Sequence, residues 1–198
     1  NNLTGAQIAE LMLADNGIRD VQVTSVKGHL TDHYNPMNKT VNLSEPVYYG
    51  SNAAAAAVAS HECGHAVQHA TGYAPLKLRS ALVPIQNASG RILNFVVLAS
   101  IFGFGFLYGS FPTDLVLLII IGCYSVLTLF AFITLPVEFN ASSRALAWVE
   151  ERNIVDPSEY KMAKDALKWA AMTYVVAAIG SLVSLLYYLM IFLGGSRD

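Results

Sequence analysis

Charged residues are scarce in this sequence of 198 residues. Lysine and arginine together number 12, aspartate and glutamate number 14, and the formal net charge is −2. A protein that binds nucleic acid through its phosphates carries an excess of basic residues on at least one face. The charge balance therefore predicts no nucleic-acid partner.

Cysteine is also rare, with Cys63 and Cys123 the two present. Cys63 lies within a histidine motif, and Cys123 lies in the middle of a long apolar stretch, so we expect no disulfide between them. Neither residue indicates an oxidising compartment. We predict that both are packing residues.

Three long stretches lack Asp, Glu, Lys, Arg and His altogether: residues 92–111, 115–135 and 170–193. Each has about the 20 residues that a helix needs to cross a hydrocarbon core about 30 Å thick. Buried helices of a soluble protein are the alternative, but so short a chain could not cover three of them with polar partners. The pattern predicts a mainly α integral membrane protein with three transmembrane helices. Gly105 and Gly109 are spaced for close contact between helices.

The segments between these stretches are more polar. Residues 1–74 predict a soluble lobe with a helix that begins after Thr4 and ends at Asn16-Gly17. Alternating apolar residues and turn signals predict a small antiparallel β-sheet, with strands at residues 21–26, 30–34 and 40–43. Residues 75–91 predict a connecting amphipathic helix, and residues 136–169 predict a helical segment outside the bilayer.

One pattern in the soluble lobe specifies a chemistry: His61-Glu62-Cys63-Gly64-His65. Histidines four positions apart share one face of a helix and can bind the same zinc ion. Glu62 lies one position round the helix, where it can take a proton from a water molecule without being a ligand. A coincidental pair of core histidines is the alternative, and the pattern is too rare at this composition to favour it. The motif predicts half of a metallopeptidase zinc site.

The residues around the motif favour the helix that it needs. Ser51 or Asn52 can cap its start, an alanine run follows, and Gly72 can end it in a left-handed conformation. Gly64 costs about 1 kcal/mol relative to alanine inside a helix, which indicates that another backbone or a ligand comes close. His69 lies about 12 Å along the axis from the first histidine, too far to share its metal, and we predict an ordinary helix residue there.

A catalytic zinc ion needs a third protein ligand, and Glu138 is the favoured candidate. It directly follows the second apolar stretch, where a carboxylate is costly and usually has a partner. An interfacial glutamate that reaches towards water is the alternative. Other acidic residues compete less well: Glu45, Glu150, Glu151 and Glu159.

Chain topology agrees with this choice. The two histidines precede the first apolar stretch and Glu138 follows the second, so a hairpin of two spans returns the chain to the same side. Eight positive residues flank the spans on that side: Lys77, Arg79, Arg91, Arg144, Arg152, Lys161, Lys164 and Lys168. Positive residues are enriched in cytoplasmic loops, so the active site is predicted on the cytoplasmic side.

Substrate contacts are predicted near the third strand of the sheet, which leads into the metal helix. Zinc endopeptidases commonly bind substrate as an extra strand along such an edge, and an ordinary hairpin strand is the alternative. The residues of that edge are Val41, Asn42, Leu43 and Ser44. One of four nearby side chains is predicted to stabilise the transition state or to contact the substrate. Aromatic residues in turns and at interfaces are common without such a role, which is the alternative. The four candidates are His33, Tyr34, Tyr48 and Tyr49.

Several segments together carry a family resemblance: Asp32-His33-Tyr34-Asn35-Pro36, Leu43-Ser44, Val47-Tyr48-Tyr49-Gly50, HECGHAVQ and LPVEFNAS. Over nearly the whole chain the sequence resembles the YugP-type neutral zinc metallopeptidases, a bacterial membrane family. Its layout is also similar to that of the HtpX and CAAX prenyl protease group. The resemblance implies a gluzincin-like site with one zinc ion, with His61, His65 and Glu138 as ligands and Glu62 as catalytic base.

The sequence departs from the family pattern in two places. Asn140 stands where the resemblance implies an aspartate, so the orientation of a ligand is expected to be modestly weaker, and Ser142 is expected to support a ligand from behind. The resemblance also implies a membrane segment ahead of Asn1, whereas the chain opens at Asn1-Asn2 without methionine or an apolar run. We expect truncation, processing or disorder there.

These observations predict an integral membrane zinc metalloendopeptidase that acts on polypeptide substrates. The predicted location is the bacterial cytoplasmic membrane, with several spans in the bilayer. Two other functions are compatible with parts of the sequence: a zinc-stabilised scaffold or chaperone without activity, and a transporter with Glu138 in its pathway. The retained Glu62 argues against the first, and the absence of any other ionisable group in the spans argues against the second. The oligomeric state stays open.

Overall fold

The computed structural model of the protein describes residues 3–102, 109 and 111–195. It is mainly helical, with one small sheet and three helices that are long and apolar enough to cross a membrane, as the sequence predicts. The helices are α1 (Gly5–Asp15), α2 (Glu45–Tyr48), α3 (Ala53–Ala70), α4 (Ala74–Phe102), α5 (Thr113–Glu151) and α6 (Pro157–Gly195). The strands are β1 (Gln22–Val26), β2 (His33–Asn35) and β3 (Thr40–Ser44).

The chain forms two compact units. The first contains the chain up to Lys77 together with Pro136–Met172, and the second contains Leu78–Leu135 and the chain from Thr173 onwards. The first unit therefore holds the sheet, α1 to α3, the last four turns or so of α5 and the start of α6. Its core is apolar and closely packed, with buried side chains that include Met12, Val41, Leu43, Cys63 and Val149.

Helix α1 begins and ends where the sequence predicts. The Thr4 hydroxyl accepts a hydrogen bond from the Gln7 amide, and the Gln7 side chain accepts one from the Thr4 amide, which forms a capping box. Asn16 ends the helix, and Gly17 follows with a φ of +69°. The buried face of α1 includes Ile8, Met12 and Leu13, spaced for one side of a helix.

The sheet is mixed rather than antiparallel, and this part of the prediction is wrong. Its strand order is β1-β3-β2, with β1 parallel to β3 and β2 antiparallel to it. Strand β3 is the most buried of the three, with Val41 and Leu43 both 0% exposed, in agreement with its central place. The second strand also starts later than predicted, because Leu30 has a φ of +57° and lies in the preceding turn.

The central position of β3 contradicts the predicted substrate edge at Val41, Asn42, Leu43 and Ser44. Along one side, all of β3 pairs with β1. Along the other, β2 pairs with residues 40–42, and the Asp32 carboxylate accepts hydrogen bonds from the Ser44 amide and hydroxyl at 2.7 and 3.0 Å. Because both sides are occupied, β3 offers no free edge to a peptide.

Helix α3 carries the histidine motif and has the predicted boundaries. The Asn52 side chain accepts a hydrogen bond of 2.9 Å from the Ala55 amide and so caps its start. Gly72 lies just beyond its end with a φ of +66°. The helix is largely buried against α1 and the sheet, with Ala56, Ala59 and Cys63 in the shared core.

The second unit contains the most apolar parts of α4, α5 and α6. Val96, Val116 and Ile120 form a small buried cluster, and the rings of Tyr124 and Tyr188 stack 5.5 Å apart. Helix α4 is continuous from Ala74 to Phe102, across the predicted connecting helix and the start of the first apolar stretch. Gly105, of the proposed glycine pair, lies outside the described residues. Cys63 and Cys123 are both buried and free, as the sequence predicts.

Candidate metal centre

A close contact between α3 and α5 brings the candidate ligands together. A Cβ atom on Gly64 would lie 2.6 Å from the carbonyl oxygen of Ala141 and 3.1 Å from its Cα. Glycine is therefore required where the backbone of α5 rests on α3, which agrees with the predicted close approach at Gly64. Glu138 lies three residues before Ala141, about one helical turn away, so the same contact positions its carboxylate over the two histidines.

Three donor atoms converge at this contact. Oε2 of Glu138 lies 3.4 Å from Nε2 of His61 and 3.5 Å from Nε2 of His65. Side chains of these three residues offer ligand atoms that all lie within 4.8 Å of one another. Among the residues that the structure describes, this is the group of His, Cys, Asp or Glu with spacing for a metal ion. The Glu138 side chain is 3% exposed.

Both imidazole rings are held by their other nitrogen. Nδ1 of His65 lies 3.0 Å from Oε1 of Gln68, an atom that can only accept, so Nδ1 carries the proton. Nδ1 of His61 lies 3.1 Å from the Ser142 hydroxyl. With Nδ1 engaged, Nε2 of each ring is directed towards Glu138. Two imidazole nitrogens and one carboxylate oxygen form the ligand set of a catalytic zinc site, so these residues fit zinc.

The charges at this point also suit a cation. Burial opposes ionisation of Glu138, but hydrogen bonding and charge from His61 and His65 hold the pKa of Glu138 well below its usual range. Burial likewise opposes protonation of His65, and its contacts with Glu138 and Glu62 raise the pKa of His65. An ionised carboxylate therefore lies between the two rings, and a divalent ion bound there would replace the histidine protons as its counter-charge.

Gln68 is a residue of this site that the sequence analysis missed. Its side chain is 0% exposed, and its Nε2 donates to the carbonyl oxygen of Val137 at 2.8 Å and to Oδ1 of Asn140 at 3.0 Å. Arg144 donates to the same Asn140 oxygen at 2.8 Å. Asn140 therefore supports His65 through Gln68 rather than directly. The available signal was a polar residue three positions after His65, on the buried face of the helix.

Glu62 lies beside the three donors but outside their group. It is buried, and its Oε2 accepts a hydrogen bond of 2.9 Å from the backbone amide of Tyr34 in β2. A carboxylate has two oxygens, so this bond fixes the orientation of the group while Oε1 stays available for another contact.

Four residues are predicted to contact substrate or to stabilise the transition state, and of these the structure places the backbone amide of Tyr34 against Glu62. The Tyr34 hydroxyl is itself hydrogen-bonded to Nδ1 of His69 at 2.7 Å, and His69 is a helix residue outside the donor group, as the sequence predicts. Tyr49 is 68% exposed and its ring contacts that of Tyr48. His33 is exposed, and its Nδ1 lies 2.8 Å from the Thr31 carbonyl oxygen.

The competing glutamates have other surroundings. Glu159 accepts a hydrogen bond from the Asp156 amide at 3.2 Å, as expected of a residue that caps α6. Glu150 accepts one from the Tyr160 hydroxyl at 3.2 Å. Glu45 lies in the first turn of the short helix α2, and Glu151 is the last residue of α5. None of these four is in the donor group described above.

Comparisons with known proteins identify the family of the chain. A family model described as "Putative neutral zinc metallopeptidase" matches residues 1–193. The chain is 47% identical over 195 residues to the "Putative membrane protease YugP" of Bacillus subtilis (strain 168), an alignment that covers 98% of this chain and 83% of that protein. No solved structure matches the chain. The chain belongs to the neutral zinc metallopeptidase family.

Proposed function

We propose that this neutral zinc metallopeptidase is an integral membrane endopeptidase. In this proposal His61, His65 and Glu138 hold one zinc ion per chain, and Glu62 is the general base. The observation that carries it is the convergence of Nε2 of both histidines on Oε2 of Glu138, at 3.4 and 3.5 Å, beside a buried glutamate. A scaffold that used zinc for stability alone would need the three ligands but not Glu62.

The residues of the chain divide the chemistry between them. Zinc, when bound, acts as a Lewis acid that polarises a peptide carbonyl and makes water more acidic. Glu62 accepts the proton of the attacking water and later donates it to the leaving amine. Ser142 and Gln68 hold His61 and His65 from behind, so that the rings keep their orientation through the reaction.

The membrane arrangement is part of the proposal. Helix α5 has 39 residues, a length of about 58 Å at 1.5 Å per residue. A hydrocarbon core about 30 Å thick takes up about 20 of them, and Glu138 follows that apolar part. The positive residues that flank the spans on the side of the histidines support a cytoplasmic active site in the cytoplasmic membrane of a bacterium. Polypeptides and the lipid bilayer are the partners in this arrangement.

Cleavage of an unfolded protein tests the proposal. Detergent-solubilised protein loaded with zinc should cut casein, and Glu62→Gln should bind the same zinc while losing at least about a hundredfold in rate, the scale of general-base catalysis. Glu10→Gln, an exposed change on α1, is the matched control and should leave the rate unchanged.

Metal content is the second measurement. Glu138→Ala should lose most of its zinc because it removes one of three ligands. The endopeptidase proposal is rejected if the wild-type protein retains one zinc per chain and cuts casein no faster than Glu62→Gln. The ligand assignment is rejected if Glu138→Ala binds zinc as tightly as the wild type.

A further inference from the structure

We propose that Tyr34 and His69 are positioning residues for Glu62, and that their hydrogen bond holds strand β2 against the metal helix. This inference rests on the proposed function, because it assigns the contact a role in proton transfer. The sequence predicts a role towards substrate for Tyr34 and none for His69.

Tyr34 is attached to α3 at two points. Its backbone amide donates to Oε2 of Glu62 at 2.9 Å, and its hydroxyl is bonded to Nδ1 of His69 at 2.7 Å. Glu62 and His69 are seven residues apart, which is nearly two helical turns, so both lie on the same face and about 10 Å apart along the axis. The tyrosine side chain therefore reaches along this face while its main chain holds the base.

The direction of the Tyr34 amide follows from its place in the sheet. Tyr34 lies opposite Val41 in an antiparallel pair at the edge of the sheet. In such a pair, alternate residues direct their amide and carbonyl groups away from the partner strand. The Tyr34 amide is one of these, since it donates to Glu62, and β2 can therefore hold the base without loss of pairing to β3.

Strand β2 depends on this attachment because it is short. It has three residues, and they pair only with residues 40–42 of β3. It also follows a turn in which Leu30 is 97% exposed. The bonds between Asp32 and Ser44 and the packing of the Tyr34 ring on the core also hold this segment, so the side-chain bond to the helix is one of three attachments that fix the Tyr34 amide. A shift of about 1 Å at a catalytic group can cost up to about a hundredfold in rate.

The test uses substitutions at His69, which is exposed and so can be changed with little risk to folding. His69→Ala removes the hydrogen-bonding partner of the Tyr34 hydroxyl. His69→Asn keeps a polar atom at nearly the place of Nδ1 of histidine, and the asparagine amide can accept or donate. His29→Ala, at another exposed histidine, is the matched control. Casein cleavage gives kcat and KM, zinc content is measured in parallel, and hydrogen exchange reports protection of the Tyr34 amide.

We expect His69→Ala to lower kcat about tenfold with KM and zinc content unchanged, and to lower protection of the Tyr34 amide by a similar factor. His69→Asn and His29→Ala should resemble the wild type in both measurements. Tyr34→Phe should match His69→Ala, and the double variant should be no slower than either, because both remove one interaction.

The inference is overturned if His69→Ala keeps wild-type kcat or wild-type protection of the Tyr34 amide. It is also overturned if His69→Asn is as slow as His69→Ala, because packing of the ring would then be the cause. A wild-type protein without Glu62-dependent cleavage would reject the proposed function. Exchange of the Tyr34 amide, which needs neither substrate nor turnover, would still decide whether His69 holds the strand.

Discussion

The contact at Gly64 makes a quantitative prediction about the metal site. Gly64→Ala would place a Cβ atom 2.6 Å from the carbonyl oxygen of Ala141, whereas ordinary carbon–oxygen contacts need about 3.2 Å or more. The neighbouring atoms are backbone of another helix, which cannot rotate out of the way as a side chain can. We therefore expect α5 to shift from α3 by about 0.6 Å at this point.

Two opposing terms set the effect on stability. Alanine gains about 1 kcal/mol over glycine in a helix interior, while forcing a methyl group into a packed contact costs about 1–3 kcal/mol. The net loss should be about 0–2 kcal/mol, a fall of a few degrees in the melting temperature. The effect on metal binding should be larger, because Glu138 moves with α5 while His61 and His65 stay on α3. We expect zinc affinity to fall about 10–100-fold, as for loss of a group that orients a ligand.

Competition with a fluorescent zinc chelator measures the affinity, and circular dichroism measures the melting temperature. Gly180→Ala is the matched control, since a Cβ atom there has no neighbour within 4 Å. It should leave zinc affinity unchanged. If Gly64→Ala binds zinc as tightly as the wild type, then the distance between α3 and α5 does not set the geometry of the ligands and the reasoning is refuted.

Three further predictions concern the residues around the site. Gln68→Leu should weaken zinc binding about 10–100-fold in the chelator assay, because His65 loses its partner; Gln22→Leu on β1 is the control, and equal affinities would contradict the role of Gln68. Asn140→Asp should raise the melting temperature, because the bonds from Gln68 and Arg144 would then end on a charged acceptor; an unchanged or lower melting temperature would count against it. Asp15→Asn should lower stability by about 1 kcal/mol or less near neutral pH. Hydrogen bonds from Arg152 and Trp148 lower the pKa of Asp15 below its usual 3.8. The ionised carboxylate therefore stabilises the fold above pH 3.8, and this stabilisation is lost as the pH falls through the lower pKa of the folded state. The melting temperatures of the wild type and of Asp15→Asn should therefore differ at pH 7 and converge well below pH 4. A difference that stays constant with pH would exclude the ion pair as the cause.

Features set by local sequence were predicted well. The capping box at Thr4, the cap at Asn52 and the left-handed Gly72 each depend on a few neighbouring residues, and the three apolar stretches depend on composition alone. The proximity of Glu138 to the histidine motif could be predicted for a different reason, the order of the segments along the chain. A hairpin of two spans would return the chain to the side of the histidine motif, and Glu138 is the first acidic residue after the second stretch.

Pairing of the strands could not be predicted in the same way. Alternation of apolar residues shows that β1, β2 and β3 are strands, but it does not show which is central, and β1 and β3 pair across an intervening strand. The role of Gln68 depends on its contact with Val137, which lies 69 positions later in the chain, and the role of His69 depends on its contact with Tyr34, 35 positions earlier. The spacing of Gln68 from His65 is the local signal for its role, whereas His69 has no local pattern that distinguishes it from a solvated helix position.

The distance in sequence between the two parts of the metal site has a consequence for synthesis of the protein. The histidine motif is complete once residue 65 has been made, but Glu138 comes only after the segment Leu78–Leu135, which contains the first two apolar stretches. A nascent chain that stops within that segment has the proposed base and two of the proposed ligands, but it lacks Glu138 and the backbone of α5 that rests on Gly64. Under the proposed function, proteolytic activity would thus be withheld until Glu138 and its part of α5 have been made.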